Sequence, residues 1–511
     1  MNDATRSAER IIRRFARETN LLVGARPVHV TGATEPADAA AGAVADALVR
    51  MLAALGARPI PTAEVAGLSD AERTKLLEIE LGHPVDDPAA ASFRLGGRHL
   101  GSRGDAAGRI DFAGAHMPVS RRLADELATR GTVRGMRIGI AMVLEPKTAQ
   151  LALMLAGAGA DVAVYAHPDE TDPDVAAALR ERGIPVDADP TLAGAAERDA
   201  ALAFLARGFD VVIDDGSHLI RLAHELAPHL VDGWIGANEE TTSGLTPLRL
   251  MQSGGVLRTG VLAVNDARMK TRFDNRYGTG QSCVFAIADV LDEAGVTVRD
   301  QPALVIGYGP VGQGVAAHLS ALGAEVRVTE TDPVRALVAV HDGYAVGRAD
   351  ELGADALIVS ATGAAHTVSG ALARNARVVA VAGGVPHEVD LAEALLEPML
   401  RDGEALPHLE VLRPGGALVL DRGGCINITA AEGNPIEIMD YSFAVQLAAV
   451  EHLVVTRPGA GVHPLPASID DRVARTALAA AGLAVDEPGV AQVEAGHDWR
   501  SRRYDRMGGE R

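Results

Sequence analysis

Cysteine is nearly absent: Cys283 and Cys425 are the only two in 511 residues. So few thiols cannot staple a long chain, which excludes a disulfide framework and points to a reducing, cytoplasmic compartment. Basic charge is also short, with 48 Lys and Arg against 68 Asp and Glu, a net charge of −20. Such a surface repels phosphate backbones and anionic lipid, so neither nucleic acid nor a membrane is expected as a partner. No apolar run approaches the ~18 residues that a membrane span needs. The opening MNDATRSAERIIRRFARETN has no apolar stretch and mixes acids with bases, which is not the pattern of a signal peptide. Gly-x-Ser-x-Gly is missing, which removes support for serine-hydrolase chemistry. Neither the cysteines nor His167, His218, His366 and His387 stand at metal-ligand spacings, so no metal is expected. Aromatics are only 3%, a compositional trait to which no function attaches.

Apolar residues, at 48%, are plentiful. Single cores stop growing near ~250–300 residues, so more than one domain is expected. Residues 1–110 read as a small α/β extension of unassigned role. They contain a basic helix (Arg10–Arg17), a strand (Val28–Thr31), an Ala-rich helix (Pro36–Leu55) and a Gly-rich, loop-like stretch from Gly97 to Gly114. Regular βα units follow, with strands at Met136–Met142, Asp161–Tyr165 and Phe209–Ile213. A second series has strands at Ala303–Gly307, Glu325–Thr329, Ala356–Ser360, Arg377–Val381 and Ala417–Asp421. Strands alternating with helices of 10–15 residues predict parallel sheets with right-handed crossovers. The expected fold class is α/β with two doubly wound domains. Residues 111–283, completed by 438–485, form one. Residues 284–437 form the other, and residues 486–511 are a tail.

The sharpest local signal is ALVIGYGPVGQGVAAHL. Gly307, Gly309 and Gly312 make Gly-x-Gly-x-x-Gly between a strand and a helix. The first glycine allows the tight turn, the second lets the backbone approach a pyrophosphate, and the third lets helix and strand pack closely. The helix N-terminus then faces the phosphates. Glu330 ends the next strand, where an acid bonds the adenosine ribose diol and repels a 2′-phosphate, which selects NAD over NADP.

Polar clusters precede this unit: Ile213-Asp-Asp-Gly216, Asn238-Glu-Glu-Thr-Thr-Ser243, and Asn265-Asp266 with Lys270 and Asp274-Asn275. Lys270 and Asp274 share one helical face. They read either as a surface ion pair or as a proton-transfer pair in a cleft at the carboxyl ends of strands.

The blocks VIDDGSHL, GANEETTSGL, VNDARMKTRFDNRYG, VIGYGPVGQG and GVHPLP, in that order, resemble the S-adenosylhomocysteine hydrolase family over about residues 115–511. The resemblance implies a substrate domain and an NAD domain around a cleft, in a homo-oligomer (dimer or tetramer). It also implies transient oxidation of a ribose 3′-hydroxyl, removal of the C4′ proton, elimination, and hydration of a nucleoside substrate. Residue by residue, it gives Lys270 and Asp274 the 3′-hydroxyl proton, Glu240 the ribose hydroxyls, and Asp215 proton transfer. Thr241, Thr242, Ser243, Asn275, Glu330 and Asn427 become cofactor contacts. Arg500 and Tyr504 correspond loosely to tail residues that reach a neighbouring subunit.

The departures lie in the substrate pocket. The family's His-Met-Thr-x-Glu run is Val143-Leu144-Glu145-Pro146-Lys147 here, Gly-His-Phe is Gly383-Gly384-Val385, and Gly-His-Pro is Gly433-Asn434-Pro435 after Glu432. The Asp after the family's Asp-Asp-Gly-Gly block becomes His218, a candidate replacement proton carrier. Glu145, Lys147, Glu432 and Asn434 are candidate contacts to an altered, more polar substrate. Alternatively, Glu145 and Lys147 pair with each other. A catalytically silent NAD-binding sensor and an NAD-dependent oxidoreductase or epimerase remain the competing readings.

Overall fold

The computed structural model describes residues 3–32, 39–391 and 394–499. Arg500 and Tyr504 lie outside the described residues.

Three sheets organise the described residues. The first contains β1 (Pro27–Thr31), β2 (Arg58–Pro59), β3 (Leu77–Glu80), β4 (Ser92–Leu95) and β5 (Arg98–His99), in the order β2-β1-β3-β4-β5. The helix Asp3–Thr19 packs its Ile11, Ile12 and Phe15 face beneath it. The N-terminal α/β extension thus carries a sheet of its own, and its core is continuous with the rest of the molecule.

The second sheet holds β6 (Arg137–Ala141), β7 (Asp161–Tyr165), β8 (Val186–Asp187), β9 (Val211–Asp214), β10 (Gly236–Glu239), β11 (Gly260–Ala263) and the late strand Gly461–Pro464. Every neighbouring pair is parallel. Strand order is Gly461–Pro464, β11, β10, β9, β6, β7, β8, so it reverses at β6. Open parallel sheets bind ligands at the carboxyl ends beside such a reversal. Asp215 follows β9 directly, and Glu145 stands in the loop four residues beyond the end of β6.

The third sheet contains β12 (Pro302–Ile306), β13 (Glu325–Thr329), β14 (Ala345–Val346), β15 (Leu357–Ser360), β16 (Val378–Val381), β17 (Leu395–Arg401), β18 (Glu404–Arg413) and β19 (Leu418–Leu420). The order β14-β13-β12-β15-β16-β19 is parallel, and the β18-β17 hairpin adds an antiparallel edge. The domain boundary expected at 283/284 falls inside the helix Thr279–Glu293, which runs unbroken across it.

Two expectations need correction. The loop-like stretch before Gly114 contains the helix Ala106–Ala115. An apolar helix long enough to cross a membrane does exist, Ile436–Thr456, with 21 residues. About 67% of its most apolar window is buried, against the helix Pro118–Arg130 and the second sheet, so it is a core helix.

Candidate active site

Lys270 sits in the short helix Arg268–Thr271 and Asp274 in the π-helical turn Asp274–Gly278 that follows it. Both are buried. Lys270 Nζ donates to Asn275 Oδ1 at 2.9 Å and lies 3.3 Å from Asp274 Oδ2 and 3.8 Å from Glu240 Oε1. Burial alone would lower the lysine pKa, but the carboxylates of Asp274, Glu240 and Asp215 outweigh it and raise it, so the ammonium is charged. Asp274 is fixed from the far side. Its Oδ1 accepts from Asn434 Nδ2, and its Oδ2 accepts from Ser442 Oγ at 2.8 Å.

Glu240 follows β10. Its Oε2 accepts from Gln446 Nε2, while its Oε1 is buried and accepts no hydrogen bond. A buried carboxylate oxygen without a donor is costly unless a ligand completes it. Burial, and then the surrounding acids, push Glu240 up to about 8 against the pull of Lys270. Asp215 is raised in the same way, by burial first, with Lys270 opposing. Behind it, Asp214 is pushed up to about 7 by burial, and Glu239 well above the ordinary carboxylate range. Glu239 Oε1 accepts from Gly216 N (3.0 Å) and from Thr241 N and Oγ1 (2.9 and 2.8 Å), tying the β9 and β10 ends together.

Thr241 caps the helix Thr242–Ser253, its Oγ1 accepting from Gly244 N at 3.2 Å, and Ser243 Oγ donates to the same atom at 3.1 Å. Thr242 is exposed at that N-terminus.

The dinucleotide cradle is sterically explicit. Gly307 has φ +92, and a Cβ there would lie 2.9 Å from Thr362 Cγ2. A Cβ on Gly312 would lie 1.9 Å from the Gly307 carbonyl oxygen. At Gly309, the N-cap of the helix Pro310–Leu322, the nearest atom is 3.6 Å away, so that backbone is open to a ligand. Glu330 Oε2 accepts from Tyr308 N at 2.7 Å, and its Oε1 accepts from Thr331 N and Asp332 N at 2.6 and 2.9 Å. Partial burial opposes ionisation of Glu330, but these amides lower its pKa, so it stands as a carboxylate beside the glycine turn. An open glycine backbone, a helix N-terminus and an ionised acid at the next strand end fit NAD and disfavour a 2′-phosphate. Replacing Glu330 by Gln is expected to weaken NAD about tenfold and to narrow the NAD-over-NADP preference, read by fluorescence titration of both nucleotides; unchanged affinities would remove this role.

Sequence reasoning missed Glu388. It is fully buried, and its Oε1 accepts from Ser360 Oγ (2.5 Å), Thr362 N (3.1 Å) and Gly363 N (3.3 Å), fixing the loop after β15. A Cβ on Gly383 would lie 2.0 Å from Glu388 Oε2, so this glycine is there to admit the acid.

The expected pocket residues stand differently from one another. Asn434 is spent on the interior: it donates to Asp274 and to Thr279 Oγ1 (3.1 Å), and accepts from Ser282 Oγ (2.8 Å) and Asn427 Nδ2 (3.1 Å). It thereby links Asn427 to Asp274. Glu145 and Lys147 do pair, at 2.7 Å. Glu145 also caps the helix Pro146–Gly157. Glu432 accepts from Arg103 and from Arg109 Nη1 (3.1 Å). Glu145 and Glu432 nevertheless line a cavity of about 540 Å³ with Val143, Glu170, Arg109 and Gly433. His218 turns toward His167, ring centroids 4.9 Å apart, and burial followed by His167 pushes it down to about 4, so it is a neutral imidazole. Cys283 is fully buried, which pushes its thiol up to about 12, and it is no nucleophile.

Fold and site together define a dinucleotide-dependent enzyme with a Lys–carboxylate cluster between a Rossmann domain and a second α/β domain. Residues 275–433 match the model of the S-adenosyl-L-homocysteine hydrolase NAD binding domain. S-inosyl-L-homocysteine hydrolase of Methanothermobacter thermautotrophicus is 36% identical over 388 residues, 74% of this chain and 92% of that one. The adenosylhomocysteinase of Thermotoga maritima is likewise 36% identical over 388 residues, covering 74% and 95%. That of Archaeoglobus fulgidus is 36% identical over 402 residues, covering 77% and 98%. The chain belongs to the S-adenosyl-L-homocysteine hydrolase family and is an NAD-dependent, adenosylhomocysteinase-like enzyme.

Proposed function

We propose that the chain hydrolyses a purine nucleoside thioether of homocysteine through transient oxidation of its ribose 3′-hydroxyl. The observation that carries this is the orphaned, buried Oε1 of Glu240 facing the charged Lys270 across 3.8 Å, an acceptor and a donor set for one hydroxyl group. NAD, which the Gly307–Gly312 turn and Glu330 would hold, would supply reversible hydride transfer at the ring carbon. Lys270 Nζ donates to the hydroxyl oxygen and stabilises the negative charge that builds there. Glu240 Oε1 accepts the hydroxyl hydrogen, and Asp274, clamped by Asn434 and Ser442, holds Lys270 in place. Asp215, at the end of β9, exchanges the proton of the neighbouring ring carbon. Its raised pKa suits a group that must both take and return a proton.

Glu240 acts as an acceptor only when ionised. With its pKa at about 8, kcat/KM is expected to fall about tenfold per unit as pH drops below that value. The groups facing it are Lys270, Asp274, Asp215 and Gln446. The test is thiol release by NAD-loaded protein from S-adenosylhomocysteine and from S-inosylhomocysteine across this range. Release from at least one, with a transient rise in NADH absorbance and an acid limb that E240Q abolishes, is the expected result. NAD bound but neither thiol nor absorbance produced would overturn the proposal.

A further inference from the structure

We propose that the cavity lined by Glu145 and Glu432 takes the base of the nucleoside, that the N-terminal segment is a specificity element of it, and that Asn20 is the positioning residue through which it acts. The inference rests on the nucleoside reading above. Asn20 follows the helix Asp3–Thr19 in left-handed backbone conformation, φ +51. Its Oδ1 accepts from Lys147 Nζ at 2.9 Å, its Nδ2 donates to the Gly433 carbonyl at 3.4 Å, and its own carbonyl accepts from Ile436 N at 2.9 Å. Lys147 is 1% exposed, and its remaining hydrogens go to Glu145 Oε2 and the Glu432 carbonyl, each at 2.7 Å.

An ammonium has three hydrogens, and here all three are taken. Asn20 holds the last one, so Lys147 has none to offer a ligand. The cavity wall at this end therefore presents the Glu145 and Glu432 carboxylates beside the Arg109 guanidinium, with no lysine donor among them. A second arm reinforces the arrangement. Arg103 donates to the Glu432 carboxylate and, at 2.7 Å, to the carbonyl of Glu18, two residues before Asn20. Relatives that are 92–95% covered leave about a quarter of this chain unmatched, an excess the size of the N-terminal extension.

Acceptors at a base edge favour a purine with a ring N–H, and a freed ammonium favours one with a ring lone pair. Inosine and adenosine differ in this way at N1 and in the opposite sense at the 6-position, so a donor freed at this wall discriminates between them. A site built to bond one group rejects the analogue that lacks it.

The test compares Asn20→Gly, which removes the acceptor at a φ that glycine adopts without strain, with Asn20→Asp, which keeps an acceptor. Full-length, NAD-loaded protein is titrated calorimetrically with adenosine and with inosine. Asn20→Gly is expected to change the adenosine-to-inosine affinity ratio at least tenfold, with NAD content unchanged, and Asn20→Asp to keep the wild-type ratio within about threefold. Equal weakening of both nucleosides, or no change, overturns the proposal, because a role confined to folding moves both alike. Binding without thiol release from the matching thioethers overturns the hydrolase reading while the affinity ratio still scores Asn20. Failure of the wild type to bind either nucleoside overturns both.

Discussion

Replacing Lys270 by glutamine is expected to lower thiol release by about 10³-fold or more, at the upper part of the range for losing a group that handles a proton in the transition state. Lys270 is the only cation in contact with Asp274 and Glu240 among the described residues. Glutamine retains a donor but no charge, so nothing balances an alkoxide forming between it and Glu240. Removing a buried charge partner ordinarily costs about 3–5 kcal/mol of stability. Here the cost is reduced, because Glu240 and Asp215 already hold raised pKa values and take up protons readily. The variant is therefore expected to fold, to retain NAD, and to be inactive. Thiol release, NAD content and the melting curve measured on one preparation separate these effects. A K270Q protein within tenfold of the wild type would remove Lys270 from the chemistry.

Different parts of this molecule were legible in the sequence to different degrees, for physical reasons. The strands β7 and β13 end where a reader of apolar runs would end them, Asp161–Tyr165 and Glu325–Thr329. β7 is buried from Val162 to Tyr165 and so forms an apolar run, whereas β13, Glu-Val-Arg-Val-Thr, is half-exposed and stands out by its alternation. The β17-β18 hairpin did not stand out, because as a half-exposed edge its sequence mixes Glu, Arg and Pro with the apolar residues. The helix Ala106–Ala115 was read as loop because of its glycines. Those glycines serve packing: a Cβ on Gly114 would lie 2.5 Å from the Gln150 amide, and one on Gly108 2.3 Å from the Arg103 carbonyl. Composition cannot tell a glycine that bends a chain from one that admits a neighbour.

The redox cluster was readable because Lys270, Asp274 and Asn275 are close in sequence and follow one strand end. The base end was not. Lys147 is completed by Asn20, 127 residues away, and Glu432 by Arg103, 329 residues away. No local pattern reports such partners. The sequence offered two readings of Glu145 and Lys147, ligand contact or internal pair. The 2.7 Å contact makes them a pair, and Glu145 still lines the cavity.

The glycine turn supplies the other large effect, as a contrast between two substitutions three residues apart. Gly312→Ala would place a Cβ 1.9 Å from the Gly307 carbonyl oxygen. The obstacle is backbone on both sides, so the helix Pro310–Leu322 must move away from β12. Overpacking of this kind costs about 1–3 kcal/mol, and the displaced helix N-terminus no longer meets the phosphates. Gly309→Ala meets nothing nearer than Arg335 Nη1 at 3.6 Å, and its φ of −70 suits alanine. The apo domain therefore accepts it, but the methyl group stands where the pyrophosphate must approach the backbone. Both variants are expected to lose NAD affinity at least a hundredfold, about 2.7 kcal/mol. Only Gly312→Ala should also lower the melting temperature of the apo protein. Calorimetric NAD titration beside apo melting curves makes the distinction. A Gly309→Ala protein that binds NAD as the wild type does would show that the cofactor does not approach the backbone at this glycine, and the cradle would have to be redrawn around the Gly307 turn.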